Sequence, residues 1–430
     1  MSDLPRGWEK VSVTEIVALH DSRRVPLNAT QRAEMRGPIP YYGANGLVDH
    51  VNDYLFDGEY VLLAEDGGYF DDPRRGVAYE VSGKFWVNNH AHILEPLGGI
   101  QTRFVRYQLN AMNWLPYVGG STRLKLTQGG LQQALVPVPP LAEQRRIVAK
   151  IDSLTGKSRR ARDHLDHIPR LVEKYKQAIL AAAFRGDLTR EWREGRSLAA
   201  TRSVLLGEVA EGFNYGSAAK SAKQGRVPVL RMGNIQDGKL DWADLVFTDD
   251  AAEIAKYRLK NGDVLFNRTN SPALVGKTAL FTGKREAIYA GYLIKVRCKP
   301  QLLPAFLTYC LNAPNGRAYS WEVKTDGVSQ SNINAKKLAA FRFDLPSVQE
   351  QEEIVRRIER ALSWINRVTV DVTSARKLID HLDNSVLAKA FRGELVPQDP
   401  ADEPASALLD RIREERAAAP KAKRGRKKAA

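Results

Sequence analysis

Residues 183–188 read Ala-Phe-Arg-Gly-Asp-Leu, and residues 390–395 repeat them as Ala-Phe-Arg-Gly-Glu-Leu, 207 positions later. The same offset aligns residues 139–188 with residues 346–395 at 15 of 50 positions without a gap. Each copy opens on a proline that is followed by a Glu-Gln pair. Unrelated segments share far fewer identities, so the chain contains an internal duplication that organises the whole fold.

Both copies carry apolar residues at alternating spacings of four and three. The second copy has them at Ile354, Ile358, Ala361, Ile365, Val368, Val372, Ala375, Ile379, Leu382 and Val386. The first copy has Ile147, Ile151, Leu154, Ser158, Ala161, Leu165, Ile168, Val172, Tyr175 and Ile179, with Ser158 as the one polar member. Such a stripe is typical of a coiled coil, so it predicts two long helices that pair with each other. The alternative is that each helix packs only on its own globular segment.

The helix residues predicted to lie in the seam or against partners share apolar chemistry. They are Ile147, Ile151, Leu165, Ile179, Phe184, Ile354, Ile358, Ile365, Ile379, Val386 and Phe391. Glycines 186 and 393 are expected to end the two helices in a left-handed conformation. Pro169 is expected to kink the first helix, because proline removes a main-chain donor.

A weaker repeat extends into the segments before each helix, where residues 120–131 align with 327–338. Short β-branched and aromatic runs between Gly, Asn and Asp predict mixed domains with many strands. The predicted fold class is α+β, with two mixed domains, two long helices and a pseudo-twofold repeat. The predicted divisions are globular domains at 1–138 and 200–345, helical regions at 139–199 and 346–396, and a basic, disordered tail at 397–430.

The chain has 430 residues and a net charge of +15, which favours a polyanionic partner. The excess is uneven, since residues 1–135 hold 13 basic and 15 acidic side chains and residues 200–340 hold 20 and 12. Any DNA contact of the first segment must therefore be a local patch. Two cysteines exclude a disulfide framework or a cysteine-rich zinc site. Without a long apolar run or a leader sequence, the expected location is the cytoplasm, away from membranes.

Motifs for catalysis are incomplete throughout the sequence. Residues 275–278 end like a phosphate-binding loop, but Ser271 stands where that motif requires glycine. The sequence has no Asn-Pro-Pro-Tyr or Asp-Pro-Pro-Tyr tetrad. His90 and His92 would share one strand face, and a polar or DNA-facing pair is favoured there over a metal site. The sequence therefore predicts neither catalytic residues nor metal ligands.

Polar, glycine-rich loops follow predicted strands at matched places in the two globular segments. The candidate DNA contacts are Tyr42, Asn45, Glu65, Asp66, Tyr69, His90, Arg123 and Lys125 in the first, and Arg231, Asn234, Asn267, Arg268, Asn270, Tyr292, Gln330 and Asn332 in the second. Arg, Asn and Gln suit base edges, whereas Lys suits phosphates. Arg268 is predicted to contact a base and Arg123 a phosphate. The alternative for Arg268 is a surface arginine paired with a carboxylate.

The duplicated hexapeptides, the proline-led Glu-Gln helices and the opening Leu-Pro-Arg-Gly-Trp at residues 4–8 resemble HsdS, the specificity subunit of type I DNA restriction–modification systems. The resemblance covers about residues 1–396. It implies two target-recognition domains, each reading half of a bipartite double-stranded DNA target. It also implies that the helices pair antiparallel, set the spacing and dock two methyltransferase subunits.

The same resemblance implies a non-catalytic subunit of a phage-defence complex that binds no cofactor itself. Methyltransferase subunits would bring S-adenosylmethionine and methylate adenines, and restriction subunits would bring ATP and Mg²⁺ for translocation and cleavage. Two other classes remain open. One is a single-chain methyltransferase or nuclease, and the other is an architectural coiled-coil protein that binds DNA without reading its sequence.

Overall fold

The computed structural model describes residues 4–72, 75–120 and 122–418. The chain divides into two compact units. The first unit comprises residues 1–165 and 374–430, and the second comprises residues 166–373. Each unit therefore combines one globular segment with one half of each long helix.

A six-stranded sheet forms the centre of the first unit. Its strands, in spatial order, are Val17–Leu19, Ala91–Pro96, Phe56–Ala64, Ala78–Val87, Ile39–Gly43 and Gly46–Val51. The pairing of Ala78–Val87 with Ile39–Gly43 is parallel and the other pairings are antiparallel. Along the central strand, Val61 and Leu63 enter one core and Leu62 enters another. This alternation is what the period of two in a strand requires.

Smaller elements complete the first unit. Strands Glu9–Ser12 and Leu135–Val138 pair antiparallel, as do Val118–Gly119 and Lys125–Leu126. The helices are Val13–Ile16, Ala29–Glu34, Thr102–Ala111, Gln128–Gln133 and Ala405–Ala418, with 3-10 turns at Asp21–Arg23 and Leu115–Tyr117. Phe104 and Val105 of the ten-residue helix are fully buried against the sheet core.

Two main sheets build the second unit. One is antiparallel, in the order Ala210–Tyr215, Leu293–Cys298, Val264–Asn267 and Thr278–Leu280. The other runs Val246–Thr248, Val227–Leu230 and Ile288–Tyr289. Shorter pairings join Arg202–Leu205 to Arg342–Leu345, Ile235–Gln236 to Lys239–Leu240, and Ser331–Asn332 to both Thr269–Asn270 and Thr325–Asp326.

The helices of the second unit outside the long pair are short. They are Arg190–Arg193, Leu206–Val209, Ala251–Tyr257, Pro304–Asn312, Pro314–Val323 and Ala335–Ala339, with 3-10 turns at Asp187–Thr189 and Met232–Asn234. Phe306 and Leu307 are buried here against Val264 and Phe266 of the central strand. The mixed α/β character predicted for both globular segments is therefore confirmed.

The two long helices span Leu141–Phe184 and Val348–Ala390. In the first unit, Arg162 of the first helix binds Asp380 and Asp383 of the second at 2.8 and 2.7 Å. In the second unit, Arg357 near the start of the second helix donates to the carbonyl of Leu188, just past the end of the first. The beginning of one helix thus meets the end of the other, and the antiparallel arrangement is confirmed within each unit.

Both helices end as the sequence predicts, since Gly186 and Gly393 have φ values of +80° and +75°. Only glycine adopts this conformation without strain, which explains why both copies keep it. The first helix continues through Pro169. Within the described residues, no helix combines the length and apolar character that a membrane crossing requires.

The apolar stripe departs from the predicted seam near the end of each helix. Tyr175 and Leu382 are 60% and 51% exposed, so their assignment to the seam is wrong. The residues that follow them, Lys176 and Asp383, are partly buried. A straight helix has 3.6 residues per turn, so a strict 3.5-residue pattern rotates away from the contact line.

Phe184 and Phe391, predicted to lie in the seam or against partners, pack on the globular segments. The ring of Phe184 packs 5.2 Å from that of Phe306, and the ring of Phe391 packs 5.7 Å from that of Phe104. Each phenylalanine therefore fixes the end of a long helix to the globular part of its own unit. Such aromatic pairs favour tilted or edge-on geometry, as seen here.

The repeated proline and glutamine have a structural role. The Gln144 amide donates to the carbonyl of Pro139, and the Gln351 amide donates to the carbonyl of Pro346, both at 2.9 Å. Both glutamines are buried, and each satisfies a main-chain acceptor at the start of its helix.

The repeated glutamate anchors a distant segment to each helix start. Glu143 accepts a hydrogen bond from the Trp8 indole at 3.0 Å, and burial raises the pKa of this carboxyl. Glu350 accepts from the Thr189 hydroxyl at 2.7 Å and lies 3.1 Å from Arg193. Each copy thus buries the equivalent glutamate at its helix start, but the two glutamates bind different partners.

The predicted disorder of the whole tail is wrong, because Ala405–Ala418 is a helix. Leu408, Leu409 and Ile412 of this helix are buried in the core of the first unit. The main-chain amide of Ala405 also donates to the carbonyl of Gly7 at 2.9 Å. Apolar burial outweighs the charged composition of this segment. The basic run at 421–428 lies outside the described residues.

Candidate nucleic-acid interface

In the first unit, one loop residue connects the central strand to two neighbouring segments. The main-chain amide of Glu65 donates to the carbonyl of His90 at 2.8 Å, and its carbonyl accepts from Leu126 at 2.7 Å. Asp66 forms an isolated antiparallel bridge with Lys125. These bonds bring Glu65, His90 and Lys125 together from three separate parts of the chain.

The second unit repeats the arrangement around Arg268. Its amide donates to the carbonyl of Tyr292 at 3.0 Å, and its carbonyl accepts from Ile333 at 2.9 Å. Thr269 pairs with Asn332 in the adjacent ladder. The matching bonds identify equivalent pairs of residues, which are Glu65 with Arg268, His90 with Tyr292, and Lys125 with Asn332. The structure therefore places six sequence-predicted candidates at three equivalent positions.

The side chains of the first cluster neutralise one another. Asp66 binds Arg123 at 2.7 Å and lies 3.3 Å from the imidazole of His90. The ammonium of Lys125 lies 3.4 Å from Glu65. Asp66, His90 and Arg123 line a cavity of about 240 Å³ together with Asn45, whose side-chain amide donates to the carbonyl of Gly67. If Arg123 contacts a phosphate, as predicted, its guanidinium must break the ion pair with Asp66 when DNA binds.

A buried ion network lies beneath this cluster. His92 is fully buried and binds Asp21 at 2.6 Å and the carbonyl of Leu126 at 3.0 Å, so its suggested DNA-facing position is wrong. Arg24 lies 2.6 Å from Glu65 and 3.4 Å from Asp21. Asp21, Glu65 and His92 have the donor atoms of a metal site. Because Arg24 already neutralises both carboxylates, we interpret the group as a satisfied ion network.

Burial alone would raise the pKa of Asp21, but the hydrogen bond and charge of His92, with two smaller contributions, hold that pKa below its ordinary value of 3.8. The main-chain amide of Ile93 and the Arg24 guanidinium act in the same direction. The ionised carboxylate is therefore the form that stabilises the contacts with His92 and the Ile93 amide.

Asp21→Asn should lower the free energy of unfolding by about 1–3 kcal/mol at neutral pH, because the amide leaves buried donors unsatisfied. A depressed carboxyl pKa stabilises the fold above the unfolded-state value, and this contribution disappears as the pH falls through the folded-state value. Thermal unfolding should therefore show a difference between wild type and variant that shrinks below about pH 4. The exposed Asp57→Asn is the control. An equal difference at pH 3 and pH 7 would contradict the role of the Asp21 charge.

The second cluster holds its arginine differently. Arg268 donates to the Asn332 side-chain oxygen at 3.0 Å and to the carbonyl of Gly291 at 3.3 Å. Its guanidinium carbon lies 4.8 Å from the centre of the Tyr215 ring. Tyr292 is half exposed beside this group, and its contact with DNA stays a prediction. Among the described residues, no carboxylate forms an ion pair with Arg268, so the carboxylate-paired alternative is wrong.

Two predicted contacts in the second unit are buried, and their assignment to DNA is wrong. Asn267 has no exposed surface, and its amide atoms find no partner among the described residues. Asn234 is buried and donates to the carbonyls of Asp241 and Asp244, which shapes its own loop. Arg231 is paired with Asp244 at 3.0 Å.

The remaining candidates stay predictions. Gln330 is exposed at the position equivalent to Arg123, and Asn270 accepts from the main-chain amide of Ser271. Tyr69 stacks with the guanidinium of Arg75, and Tyr42 is partly buried in the aromatic side of the sheet. Sequence reasoning missed Tyr215, Asp21 and Arg24, because nothing in the local sequence places them beneath a loop that lies far away in the chain.

Each of the two mixed domains thus carries a polar loop cluster at an equivalent position and is joined to the paired helices. The chain matches the family described as type I restriction modification DNA specificity domain over residues 5–164 and 203–369. It belongs to this family, and the predicted resemblance to HsdS is confirmed.

Curated relatives agree with this assignment. The chain is 33% identical over 307 residues to the type I restriction enzyme StySPI specificity subunit of Salmonella potsdam, and 32% identical over 307 residues to the EcoKI specificity subunit of Escherichia coli K12. Each match covers 68% of this chain and 66% of the relative's length. The EcoDI specificity subunit of Escherichia coli is 27% identical over 458 residues, or 99% of both chains. These relatives support a non-catalytic specificity subunit over an enzyme.

Two solved structures share the fold. A chain from a structure describing complex assembly and conformational transition of the type I R-M system aligns with a TM-score of 0.66 at 19% identity, covering 92% of this chain and all of that one. HsdS from Thermoanaerobacter tengcongensis aligns with a TM-score of 0.58 at 18% identity, covering 91% and 98%. The predicted architecture of two mixed domains and a long helix pair is thereby confirmed.

Proposed function

We propose that this chain selects the DNA sequence on which a type I restriction–modification complex acts. Each globular part reads one half of a bipartite duplex target, and the length of the paired helices fixes the spacing between the halves. The observation that carries this proposal is the equivalence of the two loop clusters. One main-chain frame presents Glu65, His90 and Lys125 in one unit and Arg268, Tyr292 and Asn332 in the other. Two domains that recognise different half-sites require the same backbone arrangement with different side chains at the contact positions.

The proposed partners are double-stranded DNA, two copies of a methyltransferase subunit and, in the complete complex, restriction subunits. The internal repeat supports two copies, because a pseudo-twofold surface presents the same site twice. S-adenosylmethionine, ATP and Mg²⁺ would belong to those partners. Such a complex would act in the cytoplasm, where DNA is accessible.

Exposed apolar pairs on the long helices support this docking role. Leu171 and Tyr175 are 50% and 60% exposed, and Leu378 and Leu382 are 68% and 51% exposed. The two pairs are related by the 207-residue offset, and Leu171 and Leu378 are identical. Residues four apart share one helix face, so each pair offers a continuous apolar contact to a partner helix.

Replacing Leu378 and Leu382 together with serine should weaken binding of one methyltransferase copy. Burying two leucines contributes about 3 kcal/mol or more, so roughly a hundredfold loss of affinity is expected. The measurement is native mass spectrometry of the complex, which should change from two bound copies to one. The paired replacement of Leu171 and Tyr175 should have the same effect on the other copy.

Val370→Ser is the matched control for this experiment. Val370 is 64% exposed on the same helix, but its repeat counterpart is Asp163, so it belongs to no duplicated pair. This variant should keep both methyltransferase copies. If both paired replacements also retain two copies with unchanged affinity, the helices do not dock the partner through these faces.

A further inference from the structure

Equivalent positions in the two loop clusters carry inverted chemistry. In the first unit, the acceptor Glu65 lies 3.4 Å from the donor Lys125. In the second, the donor Arg268 binds the acceptor oxygen of Asn332 at 3.0 Å. Each pair lies beside an equivalent main-chain hydrogen bond. The carbonyl of Glu65 accepts from the Leu126 amide, and the carbonyl of Arg268 accepts from the Ile333 amide. At this equivalent position, the second unit therefore has a charged donor, Arg268, where the first unit has a charged acceptor, Glu65.

The Arg268 side chain is held in a defined orientation before any ligand arrives. Asn332 and the carbonyl of Gly291 each accept one of its hydrogen bonds, and the Tyr215 ring lies 4.8 Å from its guanidinium carbon. Stacking on an aromatic ring fixes the plane of the guanidinium and leaves its edge available. Nη1 and Nη2 each keep one N–H that no described residue accepts, and the buried Nε–H also has no partner among the described residues.

Arg268 also differs from the other candidate arginines in that no described carboxylate neutralises its guanidinium. Arg123 is neutralised by Asp66 and Arg231 by Asp244. Arg268 has neutral partners only, within the part of the chain that the structure describes. A partly buried cation with one unpaired N–H on each terminal nitrogen favours a ligand edge that offers two acceptors side by side.

We propose that Arg268 and Asn332 form the specificity-determining pair of the second half-site. Arg268 donates to O6 and N7 of one guanine, and Asn332 positions the guanidinium. The major-groove edge of guanine offers these two acceptors, and bidentate arginine is the commonest contact to it. Glu65 and Lys125 occupy the corresponding reading position in the first half-site. This inference rests on the proposed function, since it assumes that the second unit reads a half-site.

The test uses the full chain assembled with its methyltransferase subunit. Affinity is measured on duplexes in which each base pair of the second half-site is changed in turn, and on a scrambled duplex. Arg268→Ala should lower affinity for the target by about 5- to 150-fold and remove discrimination at one G·C pair only. Arg268→Lys keeps the charge but loses the planar fork, so discrimination at that pair should remain lost.

Two further variants separate readout from folding. Asn332→Asp leaves Arg268 in place but gives it a carboxylate partner, so affinity for the target should fall more than affinity for the scrambled duplex. Arg258→Ala is the matched control, because this arginine lies outside the candidate contacts and Glu286 neutralises it at 2.6 Å, so the base preference should stay unchanged. Thermal unfolding of each variant establishes that the chain is folded.

Several results would overturn the inference. An equal loss on target and scrambled duplexes for Arg268→Ala, with recovery by Arg268→Lys, would assign the residue to a phosphate. Unchanged discrimination in Arg268→Ala and Asn332→Asp would remove the pair from the reading surface. A wild-type complex that prefers no sequence at all would instead contradict the proposed function, so the two failures are distinguishable.

Discussion

Ile365→Asp should prevent the two long helices from pairing and should abolish assembly with the methyltransferase subunit. Ile365 is 1% exposed in the middle of the second long helix. An unpaired carboxylate placed there would lose its hydration without gaining a partner, which costs several kcal/mol. That cost is comparable with the whole stability of many domains. Ile151→Asp should act in the same way, because Ile151 is fully buried in the core of the first unit.

Val370→Asp is the control for this effect, since it adds the same charge at an exposed position of the same helix. Chemical denaturation should give a large loss for Ile365→Asp and Ile151→Asp and almost none for Val370→Asp. Pull-down of the methyltransferase subunit should follow the same order. If the Ile365 variant keeps wild-type stability and assembles fully, the helices do not depend on their apolar seam.

The long helices could be predicted because their signal is local and repeated. Ten positions at 4-3 spacing specify a helix face, and glycine marks each end. The exposed Tyr175 and Leu382 could not be predicted from that pattern. Their orientation depends on how far each helix rotates relative to its partner, which the spacing alone does not determine. These two failures identified the apolar pairs now proposed for docking.

The loop clusters were found only in part from the sequence. The matched glycines located the hairpins at a constant offset, but Glu65 and Arg268 are 203 positions apart, so the offset of 207 did not align them. Their equivalence depends on hydrogen bonds between distant segments. Asn267 looked like a loop residue because it is polar, yet the strand extends to it and buries it.

The C-terminal helix had a detectable signal that composition obscured. Leu408, Leu409 and Ile412 follow helical spacing, but they lie among Ala, Pro and charged residues that are typical of disorder. Burial against the first unit decides the outcome, and it depends on a surface formed by distant segments. Tertiary contacts of this kind are what single-sequence reasoning cannot supply.

Exchanging residues 200–340 for the matching segment of another specificity subunit should replace one half of the recognised motif completely. The two loop clusters have equivalent main-chain hydrogen bonds, but each cluster is built only from residues of one unit. The helices, which set the spacing, are unchanged by this exchange. Readout in the second half should therefore change without loss of assembly, a much larger effect on sequence preference than any single substitution.

Genome-wide mapping of methylated adenines tests this account most directly. Cells would carry the methyltransferase subunit with either the wild-type chain, the 200–340 exchange, or the reciprocal exchange of residues 1–138. The account predicts a bipartite motif with a gap of fixed length, of which each exchange replaces a different half. A change in both halves, a change in neither half, or methylation without any motif would contradict it.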